Sequence, residues 1–300
     1  MCATIALSAR TVTPGGRRVI ARGQRSGQAR GQLRIAGGHE LVTVHNFSEG
    51  LVSPVLAYAV SCLGAFLGLR CVIRASYHEG RGRVRWLVLA ATAIGATGIW
   101  AMHFIAMLGF TIPGQQITYN VPVTIASMLI AIAVVGVGLF IVSFGDVSPR
   151  RLLAGGLIIG LGVATMHYLG MAAMVMPDSM SYNPPLFVLS VLIAVVAGTA
   201  ALWIGTWVRG IGATVCASLV MGAAVSGMHY TGMAAMRVYP GGMPGLPGAS
   251  PGSFLLPLLL GISMITSVLT ITISLSPNED EMRSDAEFQV RLEALQRRQG

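Results

Sequence analysis

The stretch 98-GIWAMHFIAMLGF-110 recurs twice without gaps, as 162-GVATMHYLGMAAM-174 and as 224-AVSGMHYTGMAAM-236. Each copy places one histidine between methionines in an otherwise apolar run. The three histidines, His103, His167 and His229, recur at almost equal spacing. Self-similarity at a fixed spacing is typical of a structure that repeats one supersecondary unit. The sequence therefore predicts a repeat of about 63 residues with one such stretch in each copy.

Long apolar segments surround these stretches. Seven segments, all without Asp or Glu, occupy approximately residues 51–73, 86–110, 122–144, 151–176, 185–208, 211–236 and 254–276. A helix of about 20 apolar residues crosses the hydrocarbon core of a bilayer, which is roughly 30 Å thick. Each segment is long enough to do so. The pattern predicts an all-α membrane protein with seven transmembrane helices, built from three two-helix repeats plus one helix.

The composition argues against a soluble globular enzyme. Hydrophobic residues make up 54% of the chain and charged residues only 10%, whereas a soluble domain has about 25% charged residues. The net charge of +9 does not indicate nucleic-acid binding, because most arginines lie before the first apolar segment or between apolar segments rather than in a basic stripe. The four cysteines form no paired motif and predict neither a disulfide nor a zinc site.

Arginine counts in the loops predict the orientation of the chain. Seven arginines lie in the loops 74–85, 145–151 and 209–210. One arginine lies in the opposite loops 111–121, 177–184 and 237–253. Cytoplasmic loops carry the excess of positive charge in membrane proteins. We therefore expect a multi-pass protein of the cell membrane with its N-terminus outside and its C-terminus in the cytoplasm.

Two segments flank the predicted membrane domain, which covers residues 45–276. Residues 1–44 are rich in Arg and Gly and lack hydrophobic periodicity, which predicts a disordered tail. A start codon placed too early, with the natural protein beginning near residue 40, explains the same composition, and both interpretations stay open. Residues 277–300 predict a short charged tail in the cytoplasm.

Two further motifs concern how the helices start and pack. The sequences 118-TYN-120 and 181-SYN-183 are each followed closely by proline, and they predict a turn with an aromatic anchor at the membrane interface. The pairs Gly64/Gly68 and Gly156/Gly160 have the four-residue spacing that allows close contact between membrane helices.

The three histidines are predicted to lie at one depth. Repeats of two helices share one orientation, and each histidine lies at nearly the same distance from the cytoplasmic end of its segment. At a helical rise of about 1.5 Å per residue, this position places all three in the outer leaflet. Three equivalent side chains around a pseudo-threefold axis are expected to converge on one site.

Each histidine is accompanied by methionine one residue before it and four residues after it. The candidate metal ligands are Met102, His103, Met107, Met166, His167, Met171, Met228, His229 and Met233. The histidine and the later methionine lie on one helix face, whereas the earlier methionine points towards a neighbouring helix. Thioether and imidazole donors without carboxylate suit copper, especially Cu(I). We therefore predict a copper site, while a stripe that only packs the helices gives the same pattern and stays open.

The three stretches resemble the MHYT family of bacterial integral membrane sensor proteins, which is named for the sequence Met-His-Tyr-Thr. Residues 228–231 match all four letters, residues 166–169 match three and residues 102–105 match two. The resemblance covers roughly residues 45–276. It implies a signalling module that coordinates copper through Met and His, with Tyr as a further candidate, and senses oxygen, carbon monoxide or nitric oxide. Phe104 departs from the pattern, so a tyrosine role is limited to Tyr168 and Tyr230.

The C-terminus departs further from the family pattern. Many members carry a cyclic-dinucleotide enzyme or a histidine kinase domain there, whereas only the segment 277–300 follows the last apolar segment, which is too short for a catalytic domain. We therefore expect no enzymatic activity. The expected partners are the lipid bilayer, a diatomic gas and a separate cytoplasmic signalling protein, with no nucleic acid.

Two other functions fit the same residues. A copper transport or delivery protein would use the methionines and histidines as successive carriers. A membrane protein that ligates haem with two of the histidines is the second alternative. An absorption spectrum separates haem from copper.

Overall fold

A computed structural model describes residues 50–113, 115–144, 147–241 and 248–276, together with isolated positions at 44, 48, 284, 287, 288, 291 and 296. Almost all of the predicted tails, 1–44 and 277–300, therefore lie outside the described residues. The statements below concern the described part of the chain.

Seven helices are long and apolar enough to cross a membrane, as the hydropathy pattern predicts. They are α1 (Val52–Ser76), α2 (Gly80–Met107), α3 (Val121–Ser143), α4 (Pro149–Ala172), α5 (Pro184–Trp207), α6 (Ile211–Ala235) and α7 (Pro251–Leu275). The architecture is that of an all-α membrane protein.

Proline and small polar residues mark where the helices begin. The side chain of Asn120 accepts a hydrogen bond from the Val123 amide at the start of α3, and Ser148 does the same for Arg151 at the start of α4. Pro149 and Pro184 occupy first-turn positions, where a missing N–H costs no helical hydrogen bond. Local sequence thus fixes these boundaries.

Helices α1 to α6 form a closed ring. Each packs against the next along the chain, and α6 packs back onto α1. Helix α7 lies against α1 and α2. This arrangement gives α2, α4 and α6, which carry the three histidines, equivalent places in the ring.

Glycines allow the helices of the ring to approach closely. A Cβ atom on Gly64 would lie 2.5 Å from Gly98 Cα on α2, and one on Gly160 would lie 2.6 Å from Val195 N on α5. Gly156 faces the backbone of Thr199 in the same α4–α5 contact. The close helix contact predicted from the glycine pairs is therefore confirmed.

Helix α2 contains an irregular segment that the sequence does not predict. Residues Ala93–Ala101 are π-helical, and α-helical structure resumes at Met102–Met107. Such segments are uncommon and occur frequently at functional sites. Here the π-helical segment ends two residues before His103.

Two short strand pairs close one end of the bundle, which we call the strand end. Strand β1 (Thr118–Tyr119) pairs with β2 (Met174–Val175), and β3 (Ser179–Tyr182) pairs with β4 (Met236–Tyr239), both antiparallel. The repeated Tyr-Asn element is therefore the end of a strand followed by the N-cap residue of a helix, rather than the turn that the sequence predicts. Tyr119 is buried in the core, because its strand pairs with the segment that follows a histidine helix.

The opposite end, which we call the arginine-rich end, contains the connections between α1 and α2, α3 and α4, and α5 and α6. A buried arginine at this end, Arg74, connects α1 to α7 through a hydrogen bond. Arg74 of α1 donates a 2.7 Å hydrogen bond to the carbonyl of Ile273, near the end of α7. Its guanidinium also lies 5.5 Å from the centre of the Trp86 ring on α2.

Candidate functional site

The three repeated histidines meet inside the helix ring. His103 Nδ1 lies 3.0 Å from His229 Nδ1 and 3.1 Å from His167 Nδ1. Their ring centres are 4.9–5.1 Å apart, and the rings meet edge to face. All three side chains are buried. The equal depth expected from the repeat thus brings the histidines together, and we call His103, His167 and His229 the histidine triad.

The hydrogen-bonding capacity of the triad does not match its geometry. A neutral imidazole carries one N–H and one acceptor nitrogen. A proton on His103 Nδ1 can point along only one of its two short contacts, which leaves the other contact without a well-directed hydrogen bond. A cation among three Nδ1 acceptors would satisfy every lone pair. In the described part of the chain, these are the only three His, Cys, Asp or Glu side chains grouped closely enough to hold a metal ion.

Glycine makes room for two of the rings. His103 Nε2 faces Gly170 of α4, where an added Cβ would lie 2.5 Å away. His167 Nε2 faces Gly232 of α6 in the same way. Both glycines lie three residues after a triad histidine, whereas the corresponding position after His103 is Ala106. Both Nε2 atoms are buried without a hydrogen-bond partner among the described residues.

The contact between Gly232 and His167 predicts that one added methyl group at position 232 destabilises the protein. We expect Gly232→Ala to lower the free energy of unfolding by about 1–3 kcal/mol, as overpacking a core typically does. The added Cβ would overlap His167 Nε2 and lie 2.9 Å from its Cδ2. The His167 ring has little room to move away, because it also contacts the imidazoles of His103 and His229. Thermal unfolding of detergent-purified protein measures the effect.

Gly227→Ala is the matched control, because it lies on the same helix and an added Cβ there meets nothing within 4 Å. We expect that variant to be neutral or slightly stabilising, since alanine favours helix more than glycine. Equal stability of the two variants would show that Gly232 is not needed for the position of His167.

An aromatic ring follows each triad histidine. Phe104, Tyr168 and Tyr230 lie edge-on to their own histidines, with ring centres 4.8–4.9 Å apart. The Tyr168 hydroxyl forms a 2.6 Å hydrogen bond with Ser190 on α5. Its hydroxyl is thus directed to a neighbouring helix, which favours a packing role for this tyrosine over a ligand role.

The six candidate methionines are all buried, and none exposes more than 4% of its surface. Met102 packs with Ala57 of α1 and near Val225 of α6. This contact agrees with the expectation that the methionine before the histidine faces a neighbouring helix. The other five, Met107, Met166, Met171, Met228 and Met233, belong to the main hydrophobic core.

Two features of the site were missed in the sequence. The small residue three positions after each histidine is visible in the aligned stretches as Ala106, Gly170 and Gly232, and it could have indicated a close helix approach. The π-helical segment before His103 has no comparable signal in the sequence.

Comparison with known families supports the relationship that the motifs indicate. The MHYT family, described as the bacterial signalling protein N-terminal repeat, matches three times, at residues 97–155, 160–217 and 222–283. Each matched unit begins within a histidine helix and continues through the next helix. Each family unit therefore starts one helix later than the helix pair expected from the sequence. As a result, α1 falls outside the matched units.

Three similar proteins are signalling proteins of bacteria. The chain is 34% identical over 247 residues to the bifunctional diguanylate cyclase/cyclic di-GMP phosphodiesterase MucR of Pseudomonas aeruginosa, covering 80% of this chain and 36% of that protein. It is 37% identical to the cyclic di-GMP phosphodiesterase NbdA of the same organism, covering 72% of this chain and 28% of that one. An uncharacterized signalling protein of Caulobacter vibrioides is 32% identical, covering 77% of this chain and 28% of that protein.

The chain thus spans about a third of the length of these relatives or less. No solved structure matches. The seven apolar helices and the three family repeats identify a multi-pass membrane protein. The chain belongs to the MHYT family of bacterial signalling proteins.

Proposed function

We propose that this chain is a membrane sensory module that binds copper through the histidine triad and responds to a diatomic gas, namely oxygen, carbon monoxide or nitric oxide. The observation that carries the proposal is the convergence of three buried Nδ1 atoms, with 3.0 and 3.1 Å between neighbours. The membrane location and the signalling family support the sensory part.

The donor set fits a metal ion in spacing and in chemistry. Nitrogens bonded at about 2.0–2.1 Å to one tetrahedral ion lie about 3.3 Å apart, close to the two short separations that His103 makes in the triad. Imidazole suits copper, zinc, iron and nickel, whereas thioether sulfur favours Cu(I). The six buried methionines therefore favour copper as the ion.

The residues around the triad would control access to the ion. Phe104 and the core methionines are almost completely buried, so they exclude water from the imidazoles. Gly170 and Gly232 leave room for the imidazoles of His103 and His167 at the centre of the helix bundle. Copper bound in such an apolar site would supply an open coordination position or a redox change that a small apolar gas can address.

Two contacts of α7 support a role for this helix in carrying a change at the triad towards the output. Thr97, in the π-helical segment of the His103 helix, forms a 2.8 Å hydrogen bond with Thr266 on α7. Arg74 contacts α7 further towards its C-terminal end, through the carbonyl of Ile273. Two relatives are named as cyclic di-GMP enzymes, which favours a cyclic di-GMP signalling protein as the recipient.

The orientation predicted from the arginine count belongs to this proposal. It places the strand end and the triad towards the outside and the arginine-rich end in the cytoplasm. The end of α7 then faces a separate cytoplasmic signalling protein. We infer that the chain itself catalyses no reaction and that its output is a change in that partner.

The test is the metal content of detergent-purified protein expressed with copper available, together with its absorption spectrum. We expect nearly stoichiometric copper, because imidazole and thioether donors without carboxylate suit Cu(I), and we expect no haem band. Addition of carbon monoxide to the reduced protein is expected to change the spectrum.

Folded protein that holds neither copper nor haem would refute the metal-based sensor. A haem band would support the bis-histidine alternative, and stoichiometric zinc would refute copper. Passage of copper across the membrane of proteoliposomes that contain the protein would favour transport over sensing. The present geometry favours a single site over a pathway, because the described His, Cys, Asp and Glu side chains form one metal-ligating group, the triad.

A further inference from the structure

A cavity of about 230 Å³ lies inside the helix ring and is separate from the triad. All six helices of the ring contribute to its wall. Ile99, Val163 and Val225 line it, and each lies four residues before a triad histidine. No triad histidine lines the cavity, and Met228, which directly precedes His229, lines it as well. The cavity therefore lies along the axis of the bundle, on the side towards the arginine-rich end.

The wall of the cavity changes in chemistry along its length. Aliphatic side chains from α1, α3, α4 and α5 form most of it, and Met228 lies near the triad. Polar groups are gathered at the arginine-rich end, where Ser76, Ser143, Thr206, Arg83 and Arg209 contribute. None of the residues that line the cavity is Asp or Glu. The cavity is thus an apolar space with cationic groups at one end.

The two arginines retain capacity to bind an anion. Arg83 donates through Nη2 to the Ser143 carbonyl, and its buried Nε has no hydrogen-bond partner within the described part of the chain. Arg209 donates through Nη1 to the carbonyl of its neighbour Val208. A guanidinium offers five N–H donors, so each can donate further hydrogen bonds.

We propose that this cavity binds the acyl chain of an anionic lipid, with the charged head at Arg83 and Arg209. The shape argues for a chain, because side chains from all six helices line an apolar space that runs from Arg83 and Arg209 to Met228. The charge argues for an anion, because cationic groups beside apolar walls are stabilised by a charged partner. A carboxylate head of a free fatty acid and a phosphate head of a phospholipid share this chemistry.

Binding is measured by native mass spectrometry of the full chain in a neutral maltoside detergent. The probes are oleate, oleoyl lysophosphatidate and oleyl alcohol, which share one chain and differ in the head. We expect one bound oleate or lysophosphatidate per chain and at least tenfold weaker binding of the alcohol. Tighter binding of oleate indicates a free fatty acid, and tighter binding of lysophosphatidate indicates a phospholipid.

Gly205→Leu tests whether the chain occupies the cavity. Gly205 lines it, and an added Cβ there would meet only Leu69 Cδ2, at 3.9 Å. The larger side chain therefore has room to enter the cavity without displacing a helix, and we expect it to reduce binding at least tenfold. Gly212→Leu is the matched control, because that helical glycine does not line the cavity and meets nothing within 4 Å.

The double variant Arg83→Gln/Arg209→Gln tests the head site without filling the cavity. We expect at least tenfold weaker oleate binding, whereas Arg81→Gln/Arg85→Gln, which removes the same charge from exposed positions outside the cavity, leaves it unchanged. Unchanged binding by folded Gly205→Leu would overturn the cavity as the site. Equal binding of oleate and oleyl alcohol by the natural protein would overturn the role of the arginines.

Discussion

Replacing His103, His167 and His229 together by alanine is expected to remove copper from the purified protein completely. The three Nδ1 atoms form the one grouping of metal-ligating nitrogen, thiolate and carboxylate donors found within the described residues, so no other cluster there replaces them. Metal analysis and the absorption spectrum of the triple variant beside the natural protein measure the loss. Near-stoichiometric copper in a folded triple variant would contradict the proposed site.

His78→Ala is the matched control for this experiment. His78 lies near the arginine-rich end and contacts the Arg74 carbonyl at 2.9 Å through Nδ1, far in sequence from the triad. We expect this variant to keep its copper. Loss of copper in both variants would point to a general effect on folding rather than to the triad.

A second measurement separates metal binding from packing. A ligand that binds only the folded state stabilises it by about 2.7 kcal/mol at a hundredfold excess over its dissociation constant. Added Cu(I) is therefore expected to raise the unfolding temperature of the natural protein and not that of the triple variant. His103→Ala alone is expected to lose most of this effect, since His103 makes both short contacts of the triad.

The sequence predicts the fold well because the membrane imposes a strong constraint on it. Each spanning helix needs about 20 apolar residues, and all seven expected segments overlap the observed helices from Val52 to Leu275. The short strand pairs were missed because β1 and β2 have two residues each and β3 and β4 have four each, too few for a periodic pattern. Their partners are set by the ring of helices rather than by local propensity.

The sequence predicts the histidines of the site but not their orientation. Equal spacing places His103, His167 and His229 at one depth, which follows from helical rise alone. Which nitrogen faces the centre depends on side-chain rotamers and on contacts such as that between His167 and Gly232. The axial cavity was also missed, because it depends on how tightly six helices close around a shared axis.

The tight packing of α4 against α5 predicts the largest effect on folding. We expect Gly160→Leu to lower the free energy of unfolding by more than about 3 kcal/mol, beyond the usual cost of overpacking. An added Cβ would lie 2.6 Å from Val195 N and 2.8 Å from Ala194 C, which are backbone atoms that no rotamer change can move. Thermal unfolding and size-exclusion chromatography of the detergent-solubilised protein measure the loss.

Gly261→Leu provides the comparison for this variant, because that glycine lies in α7 and an added Cβ meets nothing within 4 Å. It is expected to unfold like the natural protein. The smaller change Gly160→Ala links packing to the site, since α4 also carries His167, further along the same helix. Separating α4 from α5 displaces that histidine, so we expect weaker copper binding by a folded Gly160→Ala protein. Unchanged copper affinity together with lowered stability would show that the triad tolerates movement of α4.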